Sequence, residues 1–196
     1  MKKFLMIGAA FAAFAPAAAM AQDATSWSGA HIDAIGGWDQ VKINDGIAPG
    51  VDYKKDGVVY GGALGFDHDT GSVVLGAEAE LTGSTAKDCA TITTTEYCLK
   101  TGRDIYAGAR LGVAVGDARD TLLYFKGGYT NAQFKATQTT GSTVVTDSTD
   151  EDGYRVGAGI EHKFSDSVSA KVEYRYSDYG SGVNRNQVVA GLGFRF

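Results

Sequence analysis

From Ala30 to the last residue, apolar side chains recur at every second position in eight separate stretches, and the charges fall between them. Ala30, Ile32, Ala34 and Trp38 open the series, and Val188, Ala190, Leu192, Phe194 and Phe196 close it. Side chains of a strand point alternately to its two faces, so this is strand sequence with one apolar face. The apolar face carries no formal charge, and His162 is its one ionisable residue. The other face holds Asp33, Glu78, Glu80, Glu161 and Glu173 with Arg110, Lys126, Arg155, Lys163, Lys171, Arg175 and Arg195. A slip of one residue would exchange the two faces completely, so the pattern fixes the register wherever one face is buried.

The connections alternate in length. Long ones are expected at 39–57, 83–102, 131–152 and 177–186, and short ones at 67–71, 116–120 and 165–167. An even strand count with this asymmetry is the mark of a transmembrane barrel with short periplasmic turns and longer external loops. The expectation is an all-β fold, an eight-stranded antiparallel transmembrane β-barrel with up-and-down meander topology. A soluble lipocalin-like barrel would instead turn its apolar face inward. Three features favour lipid: the uncharged apolar face, the glycines concentrated on the charged face, and aromatics at both strand ends. Trp38, Tyr60, Tyr129, Tyr154 and Tyr176 would form an external girdle, and Phe66 and Phe164, with Phe194 and Phe196, a periplasmic one.

The amino terminus reads as an address. Met1-Lys2-Lys3 precedes an uncharged run from Phe4 to Ala21 that ends in Ala19-Met20-Ala21, the form of a secretory signal peptide. Residues 1–21 are therefore expected to be removed, leaving 22–196 as the barrel. Export places Cys89 and Cys98 in an oxidising compartment, where a disulfide is expected. No neighbouring Cys or His completes a four-ligand zinc site. The formal net charge of −5 argues against a nucleic-acid partner.

Val156-Gly-Ala-Gly-Ile-Glu-His-Lys-Phe164, Val172-Glu-Tyr-Arg-Tyr-Ser-Asp-Tyr179 and Val188-Val-Ala-Gly-Leu-Gly-Phe-Arg-Phe196 resemble the end of the small outer-membrane β-barrel family of opacity-type proteins and OmpA-like membrane domains. The resemblance implies residence in the cell outer membrane. It also implies contact with the bilayer and lipopolysaccharide, and that Phe194 and Phe196 form the signal read by the barrel assembly machinery. The peptidoglycan-binding domain of the full OmpA arrangement is not expected, nor is its wall-anchoring role.

Within the lumen, Glu78 and Glu80 are expected to meet Arg110, and Glu161 to meet Lys171 across the third short turn. Buried charges must be paired and hydrogen-bonded, so a structural plug is expected, with a narrow porin-like passage for small solutes or ions as the alternative. His31, His68 and His162 all lie toward the periplasmic end, away from where external lipid chemistry needs a base, so no enzyme is expected. Asp67-His68-Asp69 reads as a solvated turn rather than a metal site. Asp147, Asp150, Glu151 and Asp152 form an acidic run that could share divalent cations with lipopolysaccharide. The expected function is a structural or surface-exposed role in envelope integrity, adhesion or interaction, carried out by a monomer with no cofactor or metal.

Overall fold

The structure is a computed structural model that describes residues 26–43, 53–92, 95–141, 143–180 and 182–196. The expected signal peptide lies outside these residues. Nine strands follow in chain order: β1 (Gly29–Ile43), β2 (Tyr53–Asp69), β3 (Val74–Ser84), β4 (Lys87–Ile92), β5 (Thr95–Val115), β6 (Thr121–Thr140), β7 (Thr143–Lys163), β8 (Val168–Asp178) and β9 (Val183–Arg195). Among the described residues there is no helix.

All pairings are antiparallel. Each strand pairs with its chain neighbour, except that β3 pairs with β5 and β1 returns to β9, so eight strands form a closed ring. Ile32 faces Phe194 and Trp38 faces Val188 across the closing seam. Closure removes the sheet edges that hydrocarbon cannot tolerate. The ninth strand is β4. It continues the direction of β3 beyond the ring and pairs only with the outer part of β5. The eight alternating stretches are thus the eight ring strands, and β4 is an addition that alternation did not reveal.

The expected long connections are corrected in the same way. Residues 131–140 continue β6 and 143–152 continue β7, paired in register from Asn131↔Asp152 to Thr140↔Thr143. Most of 83–102 is likewise paired strand. Apolar residues are few in these stretches and do not recur at every second position, which hides their strand character from a test based on apolar alternation. The short turns match expectation except the first. It is Thr70–Val73, closed by a 2.9 Å bond from the Thr70 N–H to the Val73 carbonyl, with Gly71 at φ 90°. Asp67 therefore belongs to β2.

The two faces match the expected sides. Ile32, Leu64, Leu111, Phe125, Val172 and Leu192 are exposed around the wall, while the charged face is buried. A soluble domain does not encircle itself with a continuous apolar surface. The lipocalin-like alternative fails on that observation. The glycines of the charged face lie where side chains or backbones crowd inward. A Cβ on Gly65 would sit 2.4 Å from His31 Nε2, and one on Gly128 would sit 2.3 Å from the Ala107 carbonyl oxygen.

Candidate functional site

The lumen is a stack of ion pairs in three linked tiers. At the periplasmic end, Asp67 accepts from Arg110 Nε (2.7 Å) and from Arg195 (2.8 Å). Glu161 accepts from Arg110 (3.0 Å), Arg195 (3.3 Å) and the Ser169 hydroxyl (2.8 Å). Trp27, fully buried, caps this tier. Its indole N–H donates to the Arg119 carbonyl (2.8 Å), and Lys163 and Arg195 lie over its ring at 4.6 and 5.1 Å. At the turn end of β2, beneath this tier, Asp69 is held below the usual carboxylate range. Burial pushes it upward, and donation from the Gly71 N–H, Arg119 and the Trp27 N–H outweighs that push.

In the central tier Lys171 bridges Asp33 (3.0 Å) and Glu78 (3.2 Å). Lys126 bridges Glu78 (2.8 Å), Glu80 (2.5 Å) and Glu173 (2.9 Å). In the external tier Arg155 joins Glu80 (3.0 Å) to Asp104 (2.6 Å), and Arg175 adds a 2.5 Å contact to Glu80. Arg185 joins Asp104 (2.6 Å) to Asp39 (2.6 Å), and the Tyr179 hydroxyl donates to Asp104 at 2.7 Å. Lys126 and Arg155 also lie over the Tyr106 ring at 4.8 and 5.4 Å. A cavity of about 250 Å³ between Val41, Ala86, Leu99, Phe134 and Val183 occupies the mouth beyond this tier.

All nine expected lumen residues (Glu78, Glu80, Arg110, Lys126, Arg155, Glu161, Lys171, Glu173 and Arg175) are buried inside the ring. Three expected pairs are corrected. Arg110 lies opposite Gly76, not Glu78 or Glu80, and that offset turns its guanidinium toward Asp67 and Glu161. Glu161 and Lys171 are direct backbone partners, yet Lys171 turns to Asp33 and Glu78 while Glu161 takes Arg110 and Arg195. In a ring this narrow, a long side chain reaches across the axis as easily as along the sheet.

The sequence reading left out Asp39, Asp67, Asp104, Arg185 and the cap Trp27. With Asp39, Asp67, Asp104 and Arg185 included, eight buried carboxylates face eight buried cations among the described residues. Asp67 is fully buried, so its part in the expected solvated turn is corrected. Asp67 and Asp69 take different partners, so the Asp67-His68-Asp69 run does not converge on one point. His31, Asp33 and Glu78 do approach one another, but the Lys171 ammonium already sits against both of those carboxylates. In the acidic run, Asp150 accepts from Arg103 (3.2 Å), and Asp152 accepts from Asn131 (2.8 Å) and from the Tyr129 hydroxyl.

Cys89 and Cys98 are bonded to each other and lie directly opposite across β4 and β5, beyond the ring. Replacing both with Ser is expected to leave barrel folding unchanged and to expose 87–100 to external protease. Limited proteolysis with mass mapping, alongside heat-modifiable electrophoresis, checks both halves. A barrel that no longer folds would contradict the placement of this bond outside the ring.

A closed antiparallel ring with an apolar exterior and a charge-balanced interior defines a small transmembrane β-barrel of the outer-membrane type. The chain belongs to the outer membrane protein beta-barrel domain family, whose model matches residues 8–196. A 25 kDa outer-membrane immunogenic protein of Brucella ovis is 25% identical over 174 residues, covering 87% of this chain and 79% of that protein. A 22 kDa outer membrane protein of Rhizobium leguminosarum bv. viciae is 27% identical over 185 residues, covering 88% and 80%. The solved structure of neisserial surface protein A matches with a TM-score of 0.55 at 15% identity, covering 86% of this chain and 98% of that one. That of Ail, the attachment invasion locus protein of Yersinia pestis, matches with a TM-score of 0.53 at 14% identity, covering 86% and 99%. At these identities the two solved structures share the fold alone. The protein resides in the outer membrane.

Proposed function

We propose that this protein is a closed, non-catalytic membrane anchor that displays its external strands to partners at the cell surface, in adhesion or envelope integrity. One observation carries this reading: the ring is filled by paired charges while one wall continues beyond it as a four-stranded sheet, β4-β5-β6-β7. Residues 143–153 of β7 pair with β6 alone, because pairing with β8 begins only at Tyr154↔Asp178. Among the described residues no further strand pairs with 143–150 of β7, and that outer edge is a surface suited to strand addition or docking. The name of the Brucella relative, an outer-membrane immunogenic protein, agrees with display. A packed lumen is also what eight strands leave room for, which favours the plug over the narrow passage. The same reading assigns Trp38, Tyr60, Tyr129, Tyr154 and Tyr176 to the external girdle and Phe66 and Phe164 to the periplasmic one. It assigns Phe194 and Phe196 to recognition by the assembly machinery.

The test shortens the β6–β7 hairpin by joining Lys135 to Ser148, which are direct partners, through an Asn-Gly turn. The shortened protein is expected to fold as a heat-modifiable barrel. Adherence of cells expressing it to immobilised host matrix is expected to fall to the level of cells lacking the protein. Unchanged adherence would remove the display role, and steady open channels from pure protein in planar bilayers would remove the closed lumen.

A further inference from the structure

The residues just before β1 are held differently from the rest of the ring. The ladder of β1 begins at Gly29↔Asp67, so Ser26, Trp27 and Ser28 lie outside the sheet. Their polar contacts run to side chains and turns of other strands. The Trp27 N–H donates to the Asp69 carboxylate (3.1 Å), and the Asp69 N–H donates to the Ser28 hydroxyl (2.9 Å). Arg195 donates to the Trp27 carbonyl (2.7 Å), and Lys163 donates to the Ser26 carbonyl. The indole ring enters the end of the lumen and joins Val74, Leu122 and Tyr124 in one buried cluster. The pocket that holds it is built from β2, β3, β6, β7 and β9. Such a pocket is complete only when the ring is closed.

Two backbone conformations frame the segment. Gly29 has φ 133°, a region that residues with side chains rarely adopt. It bends the chain from the inserted segment into β1. Arg119 has φ 54° and, among the described residues, is the one non-glycine with a positive φ. Its carbonyl is the acceptor of the Trp27 indole N–H at 2.8 Å, and its guanidinium reaches Asp69 at 3.0 Å. A strained turn, a bent glycine and a buried indole therefore meet at one place. Backbone strain persists only where the surrounding structure holds it, and it clusters at clamps and switches. Here the inserted indole is part of what holds it. A segment outside the ladder, with a glycine at its root, can leave its pocket without opening any strand pair.

With the indole seated, Trp27 is fully buried and the Lys163 and Arg195 charges lie over its ring. Withdrawal of the indole would bare these two cations and let periplasmic water reach the tier of Asp67, Arg110 and Glu161. The central and external tiers would stay shut, because the ion pairs of Lys126, Lys171 and Arg185 involve no residue of the segment. We propose that residues 26–28 form a latch, hinged at Gly29 and seated by Trp27, that opens and closes the periplasmic mouth of the barrel while the ring stays intact. The latch works at the end of the barrel opposite the displayed strands, and it stands whether or not those strands meet a partner.

The experiment places a reporter behind the latch: Val74→Cys in the full barrel, folded in detergent. Val74 is fully buried beside the indole. Cys89 and Cys98 are bonded to each other and leave the reporter as the reactive thiol. The probe is a charged thiol reagent, and heat-modifiable electrophoresis sorts the labelled molecules into folded and unfolded. Labelling of the parent Val74→Cys protein is expected to be slow and to occur in molecules that still run as the folded barrel. Gly29→Ala keeps every contacting side chain and strains the closed hinge, so it is expected to speed labelling about tenfold. Trp27→Ala removes the buried indole and is expected to speed it roughly a hundredfold. The parent and Gly29→Ala rates decide the matter even if Trp27→Ala does not fold. Label found only in unfolded molecules overturns the latch and makes Trp27 a fixed part of the core. Equal rates in Gly29→Ala and its parent overturn the hinge, and the latch with it.

Discussion

Replacing Glu80 with Gln is expected to cost about 3–5 kcal/mol of barrel stability, the range for removing one partner from a buried ion pair. Glu80 lies against Lys126 at 2.5 Å, Arg155 at 3.0 Å and Arg175 at 2.5 Å, all of them almost fully buried. The amide keeps the shape of the side chain and removes the one charge shared by three cations. Lys126 keeps Glu78 and Glu173, and Arg155 keeps Asp104. Arg175 is left worst, because its other carboxylate, Glu173, is 3.8 Å away and its Nε and Nη2 have no hydrogen-bond partner. Adding Arg175→Met to Glu80→Gln restores the charge balance and is expected to recover more than half of the loss. Urea unfolding in vesicles, followed by the heat-modifiable band, measures both. A single-variant loss below about 1 kcal/mol, the level of an exposed pair, would show that water screens this tier and would remove the plug. Non-additivity in the double variant is the signature of coupled neighbours.

Why the charge count came out uneven in the sequence and even in the lumen follows from where alternation stops being visible. The sequence reading placed seven cations and five anions inside because it counted only positions flanked by apolar partners. Asp39 and Arg185 continue the inward series past the last apolar outward residue, where the outward neighbours become Gln40, Asn184 and Asn186. Asp104 follows a shift of register between Thr101 and Asp104, which breaks the period of two. Asp67 was given to a turn because Asp-His-Asp has turn composition, although it is paired with Gly76 and buried. Face and register were legible, because burying an apolar face is a local demand repeated along each strand. Partner choice was not legible. Arg110 and Glu161 are 51 apart in sequence, and meet only because the ring closes with one particular stagger. The same limit hid the four-stranded external sheet, whose few apolar residues (Tyr97, Leu99, Phe134, Val144 and Val145) do not recur at every second position.

Replacing Phe125 with Arg is expected to cost about 2–4 kcal/mol, the range for a cation on the lipid face at the bilayer midplane. Phe125 is 72% exposed, opposite Leu111 on β5 and Ala158 on β7. It stands midway along β6 between Thr121 at the periplasmic end and Tyr129 in the external aromatic ring. No lumen contact is made at this position, so the substitution disturbs none of the ion pairs. The effect reads the solvent alone. Against water an exposed Phe-to-Arg change is near neutral, within about 0.5 kcal/mol; against hydrocarbon the guanidinium loses its hydration. The prediction therefore has a built-in contrast: Thr137→Arg, in the external hairpin beyond the bilayer where Thr137 meets the Thr146 hydroxyl, is expected to fall within the near-neutral range. Equilibrium unfolding of both variants in the same lipid vesicles measures the difference. Equal small losses at Phe125 and Thr137 would mean that both positions face water, and the lipid-facing register of the whole ring would fall with them. The expected gradient from Phe125 to Thr137 places the membrane on the wall by depth, below the external hairpin and across the ring strands.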